Sequence, residues 1–347
     1  MVEQLILNQK VLGSSPSRGT LSSPNQAACP METYQEVRYV DGKRRPTDVY
    51  VISGRKIIIE GRFIRTARLK DEYESDVTEP AALIKALIDT RCKADMFTFW
   101  DRVPTDTKQP YLCEPQTQAL LPVESYELWW RTLDRRVRKI VRRSVKRGVH
   151  VRIAELDDNL LRGIKEIFDE SPLKRGKPFW HYNKPIEELR IDLGQDPDSS
   201  EFIVAFYGEE VIGFIKMIYR DKFADPVLFI AKMLHSRKYP SNLLLAKAVE
   251  RCAEKGLPFI HYSDWRIGTH GDFLRRNGFR KFKVNRYYVP LTGKGKLALQ
   301  LGIHKSIRSR IPEKARIRLQ KVRGTLYKLQ FRLNGKKQDD IESEGDG

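Results

Sequence analysis

The stretch from Val227 to Leu291 constrains the fold of this chain more than any other part of the sequence. Its apolar and polar residues alternate in the order strand, loop, helix, strand, short helix, strand. The run 227–234 is apolar over the length of a strand. A polar loop ending in Pro-Ser-Asn separates it from a helix predicted over 243–254. Strands that alternate with helices in this way predict an α/β (α+β) fold, in which a mixed central sheet is flanked by helices.

Glycines mark the joints in the second half of this stretch. Gly256 follows the predicted helix at the position where helices commonly end. A second strand is predicted over 257–262, then a short helix over 271–278 that closes on Asn-Gly, and a last strand over 282–291. We therefore expect these strands to belong to one sheet.

The preceding part of the chain is predicted to hold elements of ordinary length. They are a hairpin over 48–69, a helix over 80–90, a strand over 96–100, a long helix over 124–148, a strand over 149–154, helices over 157–170 and 185–193, and a hairpin over 201–220. In the helix over 80–90, Leu83, Leu87 and Ile88 are expected to face the core.

Length and composition exclude several classes of protein. A chain of 347 residues can hold two domains or one body with two lobes. Its four cysteines lie far apart, with no histidine at ligand spacing, so we expect neither a disulfide framework nor a metal site. No apolar run approaches the roughly 20 residues that span a bilayer, and the N-terminus lacks the pattern of a signal peptide. These features predict a protein of the cytoplasm.

The formal net charge of +19 predicts an anionic partner, which can be a nucleic acid, an anionic membrane surface or a phosphorylated ligand. Residues 131–147 carry nine basic side chains and one acid. Residues 293–337 carry 14 basic side chains and one acid, with leucines and isoleucines at helical spacing. Such a basic amphipathic tail can lie on an anionic membrane surface, bind nucleic acid, or pack on its own domain.

The chain is predicted to divide into five parts. Residues 1–30, rich in Ser, Pro and Gly, resemble the translated end of a transfer-RNA gene and are expected to be a disordered or spurious extension. A first lobe covers 31–123 and a second lobe 124–292. The basic helical tail covers 293–337, and an acidic, disordered end covers 338–347.

Three segments together resemble the GNAT acyltransferase superfamily. They are the hairpin around Gly208–Gly213, the loop and helix through Pro240–Leu245, and the Phe-Leu-Arg-Arg-Asn-Gly-Phe sequence at 273–279 before the last strand. The basic segment 138–149, which ends in Lys-Arg-Gly-Val, is similar to the Fem-like branch of that superfamily. The resemblance implies two GNAT-like lobes.

The resemblance covers residues 124–292 well and residues 48–123 only loosely. The glycine-rich signature that most GNAT enzymes place before the donor-binding helix is absent, and Arg237–Asn242 stands there instead. In the Phe-Lys-x-x-Phe-Gly signature of the aminoacyl transferases, Leu274 replaces the lysine and Asn277 the second phenylalanine. This second difference favours acyl-CoA over aminoacyl-tRNA as the donor.

The resemblance implies a site for acetyl-CoA or another acyl-CoA as co-substrate. A helix N-terminus binds phosphate through its N–H groups and its dipole. The helix that begins near Ser241 and Asn242 supplies such an end, and Arg237 and Lys238 add positive charge from the loop. The alternative is an ordinary capped helix with solvated cations.

The resemblance also places catalysis near the end of the strand over 257–262, where the two central strands of the fold separate. Tyr262 is predicted to protonate the leaving thiolate, and Asp264 or Glu170 to accept the proton of the acceptor, directly or through water. Each of these side chains can equally be a polar residue with a structural role at the end of an element.

The loop over 171–183 combines glycine, prolines, cations and aromatic residues, a composition typical of binding loops. We expect Arg175, Trp180, His181 and Tyr182 to contact the acceptor substrate. For His181 a purely structural role is the alternative.

These observations predict an acyl-CoA-dependent N- or O-acyltransferase. The expected reaction is acetyl transfer to an amino or hydroxyl group of a sugar or cell-envelope polysaccharide precursor. The tail would hold the enzyme at the inner membrane face. One alternative is a tRNA-dependent aminoacyl transferase, because the basic helix suits an RNA backbone. Another is a non-catalytic basic adaptor that binds nucleic acid or anionic membrane.

Overall fold

We describe the chain from a computed structural model, which covers residues 32–40, 43–70, 72, 77, 79–174, 177–265, 269–304, 322 and 325–327. The predicted N-terminal extension, the acidic end and most of the predicted tail lie outside these residues, as does Arg175.

Within the described ranges, twelve strands form one mixed sheet and two short strands pair separately. The strands are β1 (Glu32–Val40), β2 (Lys43–Ile52), β3 (Arg55–Glu60), β4 (Thr66–Leu69), β5 (Met96–Trp100), β6 (Leu112–Pro122), β7 (Val149–Ala154), β8 (Leu173–Lys174), β9 (Lys177–Pro178), β10 (Ser200–Tyr207), β11 (Glu210–Tyr219), β12 (Ala224–Ala231), β13 (Phe259–Asp264) and β14 (Arg280–Pro290). Their order in the large sheet is β1-β2-β3-β4-β5-β14-β6-β13-β12-β11-β10-β7.

Helices cover both faces of this sheet. They are α1 (Pro80–Asp89), α2 (Tyr126–Thr132), α3 (Arg135–Lys146), α4 (Asp158–Asp169), α5 (Ile186–Leu193), α6 (Pro240–Glu254), α7 (Thr269–Arg276) and α8 (Gly293–Gln300). Side chains of α2, α3 and α6 share one apolar cluster with Ile203 of β10, whereas those of α4 and α5 share another with the next residue, Val204. Because successive residues of a strand point to opposite faces, the two helix groups lie on opposite sides of the sheet.

The last strand of the sheet joins the two halves of the chain. β14 pairs antiparallel with β5 through Tyr287↔Phe99 and with β6 through Phe282↔Gln118. It also places Tyr287 in the cluster that α1 forms on the first half of the sheet. The sheet is therefore continuous across residue 123, where the sequence predicts a boundary between lobes.

The predicted fold class is confirmed, since the structure is a mixed sheet flanked by helices. The hairpin over 48–69 is present as β2 and β3, which pair through Val49↔Ile58. In α1, however, Ile88 is 52% exposed and Ile84 is buried in its place. The prediction that Ile88 faces the core was wrong by one turn of the helix.

The long helix predicted over 124–148 is two helices. Leu133 takes an extended conformation with ψ of 146°, which ends α2. Asp134 then caps α3 by accepting a hydrogen bond from Arg136 N. An aspartate is a strong N-cap, so a new helix begins where the charge pattern alone predicted continuation.

Besides β8 and β9, which lie in the predicted loop over 171–183, two longer strands were missed and one was misplaced. β1 was not predicted, and neither was β6, whose Pro115 and neighbouring polar residues are typical of a loop. The strand predicted over 227–234 lies at 224–231, because Asp225 and Pro226 belong to the strand and the last three residues belong to the following loop. The helix after that loop begins at Pro240, three residues earlier than predicted.

Candidate active site

The centre of the sheet contains a gap between β12 and β13. These parallel strands pair at a single position, Ala224↔Ile260, although β12 continues to Ala231 and β13 to Asp264. By contrast, β12 is paired with β11 from Ala224 to Ala231, its whole length. The two central strands therefore separate toward their C-terminal ends. In open α/β sheets, ligands bind in crevices outside the carboxyl ends of the strands.

Aromatic side chains line the α6 face of this gap. Tyr262 of β13 is 6% exposed, and its ring meets that of Phe229 of β12 edge to face, with 6.3 Å between centroids. Phe279 lies 5.8 Å from Tyr262 and His270 lies 5.1 Å from it, measured between ring centroids. The predicted acid Tyr262 thus lies at the gap, within an aromatic cluster.

A β-bulge places Asp264 on the opposite face. Between His261↔Leu120 and Asp264↔Gln118, β13 contains one residue more than β6. The extra residue turns Asp264 toward the same face as His261, where it accepts a hydrogen bond of 2.9 Å from Gln118 Nε2 at Oδ1. Tyr262 and Asp264, which the sequence placed together, therefore approach the gap from opposite sides of the sheet.

Behind Asp264 lies a buried polar cluster on that face. His261 and Gln118 are 0% exposed, and His261 Nδ1 lies 3.0 Å from Nη2 of Arg102. Asp225 Oδ2 lies 3.5 Å from the same Nδ1 and 3.7 Å from Arg102 Nη2. Burial, helped by the Arg102 charge, lowers the pKa of His261 well below its usual value. Burial raises the pKa of Asp225 to about 7, against the opposing effect of Arg102.

Sequence reasoning missed Asp225 and Arg102. Asp225 had a usable signal, because it is a carboxylate inside an apolar run of strand length. Arg102 had none, since it follows β5 and lies 159 positions from its partner His261.

Glu170 holds the loop between β12 and α6. Its carboxylate accepts hydrogen bonds from Met233 N at 2.7 Å and from Leu234 N at 2.9 Å. Next to it, Lys232 Nζ forms ion pairs of 2.8 Å with Glu166 and with Glu210. Because both Glu170 oxygens are engaged by backbone donors, its position suits fixing this loop better than the predicted role of proton acceptor.

The same loop brings several cations to the N-terminus of α6. Arg147, at the end of α3, donates to the carbonyl of Arg237 and lies 5.4 Å over the ring of Tyr239. Lys238 Nζ lies 4.1 Å over the Tyr207 ring. Tyr239 has φ of 59°, a left-handed conformation that favours glycine. The loop therefore bends as a glycine would allow, although it has none.

The first turn of α6 is tied to the end of α7. Asn242 Nδ2 donates to Asn277 Oδ1 at 3.1 Å, and Asn277 Nδ2 donates to Phe273 O at 2.7 Å. Ser241 lies beside it, half-buried. Of the predicted donor residues, Arg237, Lys238 and Ser241 thus surround the start of α6, whereas the Asn242 amide bonds to α7.

The residues of the loop that is predicted to contact the acceptor differ in their exposure. His181 is 1% exposed and stacks on Phe168, with 4.1 Å between ring centroids. Burial, with smaller contributions from Lys184 and Lys174, lowers the pKa of His181 well below its usual value. The His181 ring is therefore enclosed by protein side chains in this structure. Trp180 is half-buried and Tyr182 is 39% exposed, so these two remain candidates for acceptor contacts.

A basic groove of roughly 870 Å³ runs along α2 and α3, away from this centre. Eight basic side chains between Arg131 and Lys146 line it, together with Trp130. Among the described residues, none of the eight forms an ion pair with an acid. Arg138 is used partly to cap α2, since its Nη1 donates to Arg131 O at 2.9 Å. We call this surface the α2–α3 groove.

In the described part of the chain, no group of three His, Cys, Asp or Glu side chains is placed to hold a metal ion. None of the helices described is long and apolar enough to cross a bilayer.

Among solved structures, the crystal structure of FemX is similar to this chain, with a TM-score of 0.51 and 9% sequence identity over 78% of this chain and 90% of FemX. The C-terminal DUF2156 domain of a protein from Agrobacterium fabrum has a TM-score of 0.49 and 13% identity over 73% of this chain and 87% of its own. A tandem GNAT protein from the clavulanic acid biosynthesis pathway has a TM-score of 0.40 and 9% identity, covering 77% and 85% of the two chains.

No protein-family model matches the sequence, and no curated protein is significantly similar to it. The likeness to FemX confirms the predicted GNAT and Fem-like fold. At 9% identity it establishes the fold alone.

Proposed function

We propose that this protein transfers an acyl group from acyl-CoA to an amine or hydroxyl group of a small acceptor, in the gap between β12 and β13. The observation that carries this proposal is the single pairing Ala224↔Ile260, beyond which the strands separate. Tyr262 and Asp264 border the gap from opposite faces, so a donor and an acceptor can approach from opposite sides.

The donor phosphates are assigned to the N-terminus of α6. Helix N–H groups and the helix dipole attract phosphate there. Arg147, Arg237 and Lys238 add positive charge around the same turn, and Tyr239 supplies the left-handed bend. Since Pro240 removes one N–H from this turn, side chains contribute more to phosphate binding than in a glycine-rich loop.

In the proposed reaction, the acceptor nitrogen or oxygen attacks the carbonyl carbon of the thioester and forms a new C–N or C–O bond. The C–S bond breaks, and CoA leaves as a thiolate. Asp264 takes the proton released by the acceptor, and Tyr262 protonates the thiolate. These roles suit two groups at separate positions, because the acceptor atom and the leaving sulfur are different substituents of the tetrahedral carbon that forms when the acceptor adds.

Titration calorimetry with acetyl-CoA tests the donor assignment. Arg237→Ala/Lys238→Ala is expected to weaken binding about 10- to 100-fold, which corresponds to a loss of about 1.4–2.7 kcal/mol for two partly exposed phosphate contacts together. Arg55→Ala/Lys56→Ala removes two exposed cations from the β2–β3 turn and serves as the matched control. Absence of binding by the folded wild-type protein, or equal affinity in both variants, overturns the assignment.

For the acceptor, we propose a sugar or cell-envelope saccharide precursor that carries phosphate, because the net charge of +19 favours anionic ligands. The predicted tail would hold the enzyme at the anionic inner face of the membrane. Vesicle sedimentation of the full chain against a chain ending at His304 tests this. A chain that ends at His304 keeps α8, whose Ala298 is buried. It also keeps the contact of 3.1 Å between His304 Nε2 and Glu114. Equal sedimentation of both chains overturns the role of the tail.

The α2–α3 groove favours a second candidate function, tRNA-dependent aminoacyl transfer. Its cations line one surface and leave their charge unneutralised, as a site for a phosphate backbone requires. This candidate predicts binding of charged tRNA that weakens steeply with salt and activity that does not depend on CoA. Arg135→Ala/Lys139→Ala should reduce the slope of log K against log salt by about 1 to 2. Tight binding of acetyl-CoA, together with a tRNA affinity that does not change with salt, would exclude this candidate.

A further inference from the structure

A chain of buried hydrogen bonds leads from the first half of the protein to Asp264. It begins at Arg102, just after β5, and passes through His261 of β13 and Gln118 of β6. Arg102 is 1% exposed and the other two are 0% exposed. Water therefore cannot reorient these groups, and the arrangement of donors and acceptors is set within the protein.

Chemistry fixes the direction of the first link. A guanidinium group has only donors, so the His261 Nδ1 that lies 3.0 Å from Arg102 Nη2 must accept. A neutral imidazole has one donor and one acceptor, which places its proton on Nε2. Burial keeps the ring neutral by lowering the pKa of His261. Arg102 thereby selects one tautomer of His261.

The tautomer of His261 fixes the remaining links. His261 Nε2 faces Gln118 Oε1 at 3.2 Å, and as a donor it holds the amide with its oxygen toward the ring. The amide nitrogen then points away and donates to Asp264 Oδ1 at 2.9 Å. All three bonds run in one direction, from Arg102 to Asp264.

We infer that Arg102 is a positioning residue for Asp264, acting through His261 and Gln118. The inference rests on the proposed function, in which Asp264 accepts the proton of the acceptor. With Oδ1 receiving the Gln118 N–H, the carboxylate is held in one orientation that turns Oδ2 to the reacting group. Held catalytic groups of this kind react faster because their orientation is set before the substrate binds.

The location of Arg102 supports this role over a purely structural one. A buried cation is costly unless it is paired and hydrogen-bonded. Arg102 has a partial counter-charge, Asp225 at 3.7 Å, and lies 4.5 Å over the Trp100 ring. Apolar residues of similar volume at both Arg102 and Asp225 would fill the same space without this cost. The guanidinium of Arg102 has only hydrogen-bond donors, and this property determines the orientation of three other groups.

NMR of the histidine nitrogens tests the chain without relying on activity. Wild-type His261 is expected to carry its proton on Nε2, and Arg102→Met/Asp225→Leu should shift the population toward the Nδ1 tautomer. The double substitution removes both buried charges together, so that neither is left unpaired. An Nδ1 proton or an imidazolium in the wild type overturns the inference, as does an unchanged tautomer in the folded variant.

Kinetics test the consequence. Gln118→Glu keeps the acceptor for His261 but removes the donor for Asp264, so kcat should fall about 10- to 100-fold with KM for acetyl-CoA unchanged. Gln116→Glu makes the same change two residues earlier on β6 and should leave kcat within about twofold. Combining Gln118→Glu with Arg102→Met/Asp225→Leu should add little, because the groups act in series.

The two experiments separate the two claims. An Nε2 tautomer that depends on Arg102, in a protein that transfers no acyl group, supports the chain and overturns the proposed function. Acyl transfer that Gln118→Glu and Gln116→Glu reduce equally overturns the positioning role while leaving the proposed function intact.

Discussion

The arginines of this protein occupy two contrasting environments. Arg102 has a fully enclosed side chain, with His261 within hydrogen-bond distance and Asp225 nearby. Along the α2–α3 groove, Arg135 and Arg142 are exposed, and among the described residues they form no ion pair. One environment uses the guanidinium to orient internal groups, and the other leaves positive charge available to a partner. Net charge alone does not distinguish these uses, although both contribute to it equally.

Arg147 lies between the two environments. It is exposed, yet its guanidinium donates to the Arg237 carbonyl and covers the Tyr239 ring. Substitutions in each environment should therefore change stability by different amounts.

Arg102→Met should lower the free energy of unfolding by about 3 kcal/mol at pH 7, because it removes a charge-assisted hydrogen bond and leaves His261 Nδ1 without its donor. Urea denaturation measures this change. A loss below about 1 kcal/mol would contradict the comparison, since it would make the enclosed arginine equivalent to a surface one. The double variant Arg102→Met/Asp225→Leu should recover part of the loss.

Asp225 should make stability depend on pH. Its pKa rises from 3.8 to about 7 on folding, so the native state binds the proton more tightly than the unfolded chain. Its contribution is complete below about pH 4 and is lost as pH rises toward 7, with a slope of up to about 1.4 kcal/mol per pH unit. The charged groups facing it, Arg102 and Arg220, oppose this shift. Asp225→Asn should flatten the urea-derived stability between pH 5 and 7.

Glu201 should make stability depend on pH in the opposite direction. Hydrogen bonds from Arg251, Lys255 and Tyr219 lower its pKa to about 2, overcoming the effect of burial. Its contribution is therefore present above about pH 4.5 and lost only as pH falls toward 2. If Asp225→Asn leaves the slope between pH 5 and 7 unchanged, the assignment to Asp225 is wrong.

Arg147→Ala should lower the free energy of unfolding by about 1 kcal/mol, an effect between those expected for the two environments. The loss combines one side chain-to-backbone hydrogen bond with an exposed cation–π contact. Arg143→Ala, one turn earlier on α3, is the matched control and should change stability by less than about 0.5 kcal/mol. Thermal unfolding of the two variants, measured side by side, shows whether the contacts of Arg147 stabilise the fold.

Arg135→Ala/Lys139→Ala should leave stability unchanged or raise it by a few tenths of a kcal/mol. These residues lie four apart on α3, and like charges at that spacing destabilise a helix by about 0.2–0.5 kcal/mol per pair. Chemical denaturation at low salt measures the effect, which should shrink as salt screens the charges. A loss of more than about 1 kcal/mol would show that the groove cations have intramolecular partners.

The sequence was sufficient for much of the fold, because apolar periodicity and glycine positions are local signals. The strand–helix–strand order around α6 and the motif at 273–279 led to the correct superfamily fold. Asp134 was a local signal too, but the surrounding arginines obscured its role as a cap.

The site depended on information that is not local. A single bulge in β13 reverses the face of Asp264 relative to Tyr262, and no residue type in the sequence predicts that bulge. Arg102 follows β5 and His261 lies on β13, and only the complete sheet brings these two parts of the chain together. The burial of His181 against Phe168 is not a local signal either, since it depends on how the loop folds back on α4.

The insertion of β14 between β5 and β6 has a consequence for how the protein is made. During synthesis, β5 and β6 emerge from the ribosome long before their shared partner, and β13, the other neighbour of β6, is also late. At about 5–20 residues per second, β14 follows β6 by roughly 8–35 s. Throughout that interval the nascent chain presents unpaired strand edges, which are templates for aggregation. This protein should therefore depend on chaperones that hold unfolded chains more than a protein whose sheet is completed in chain order.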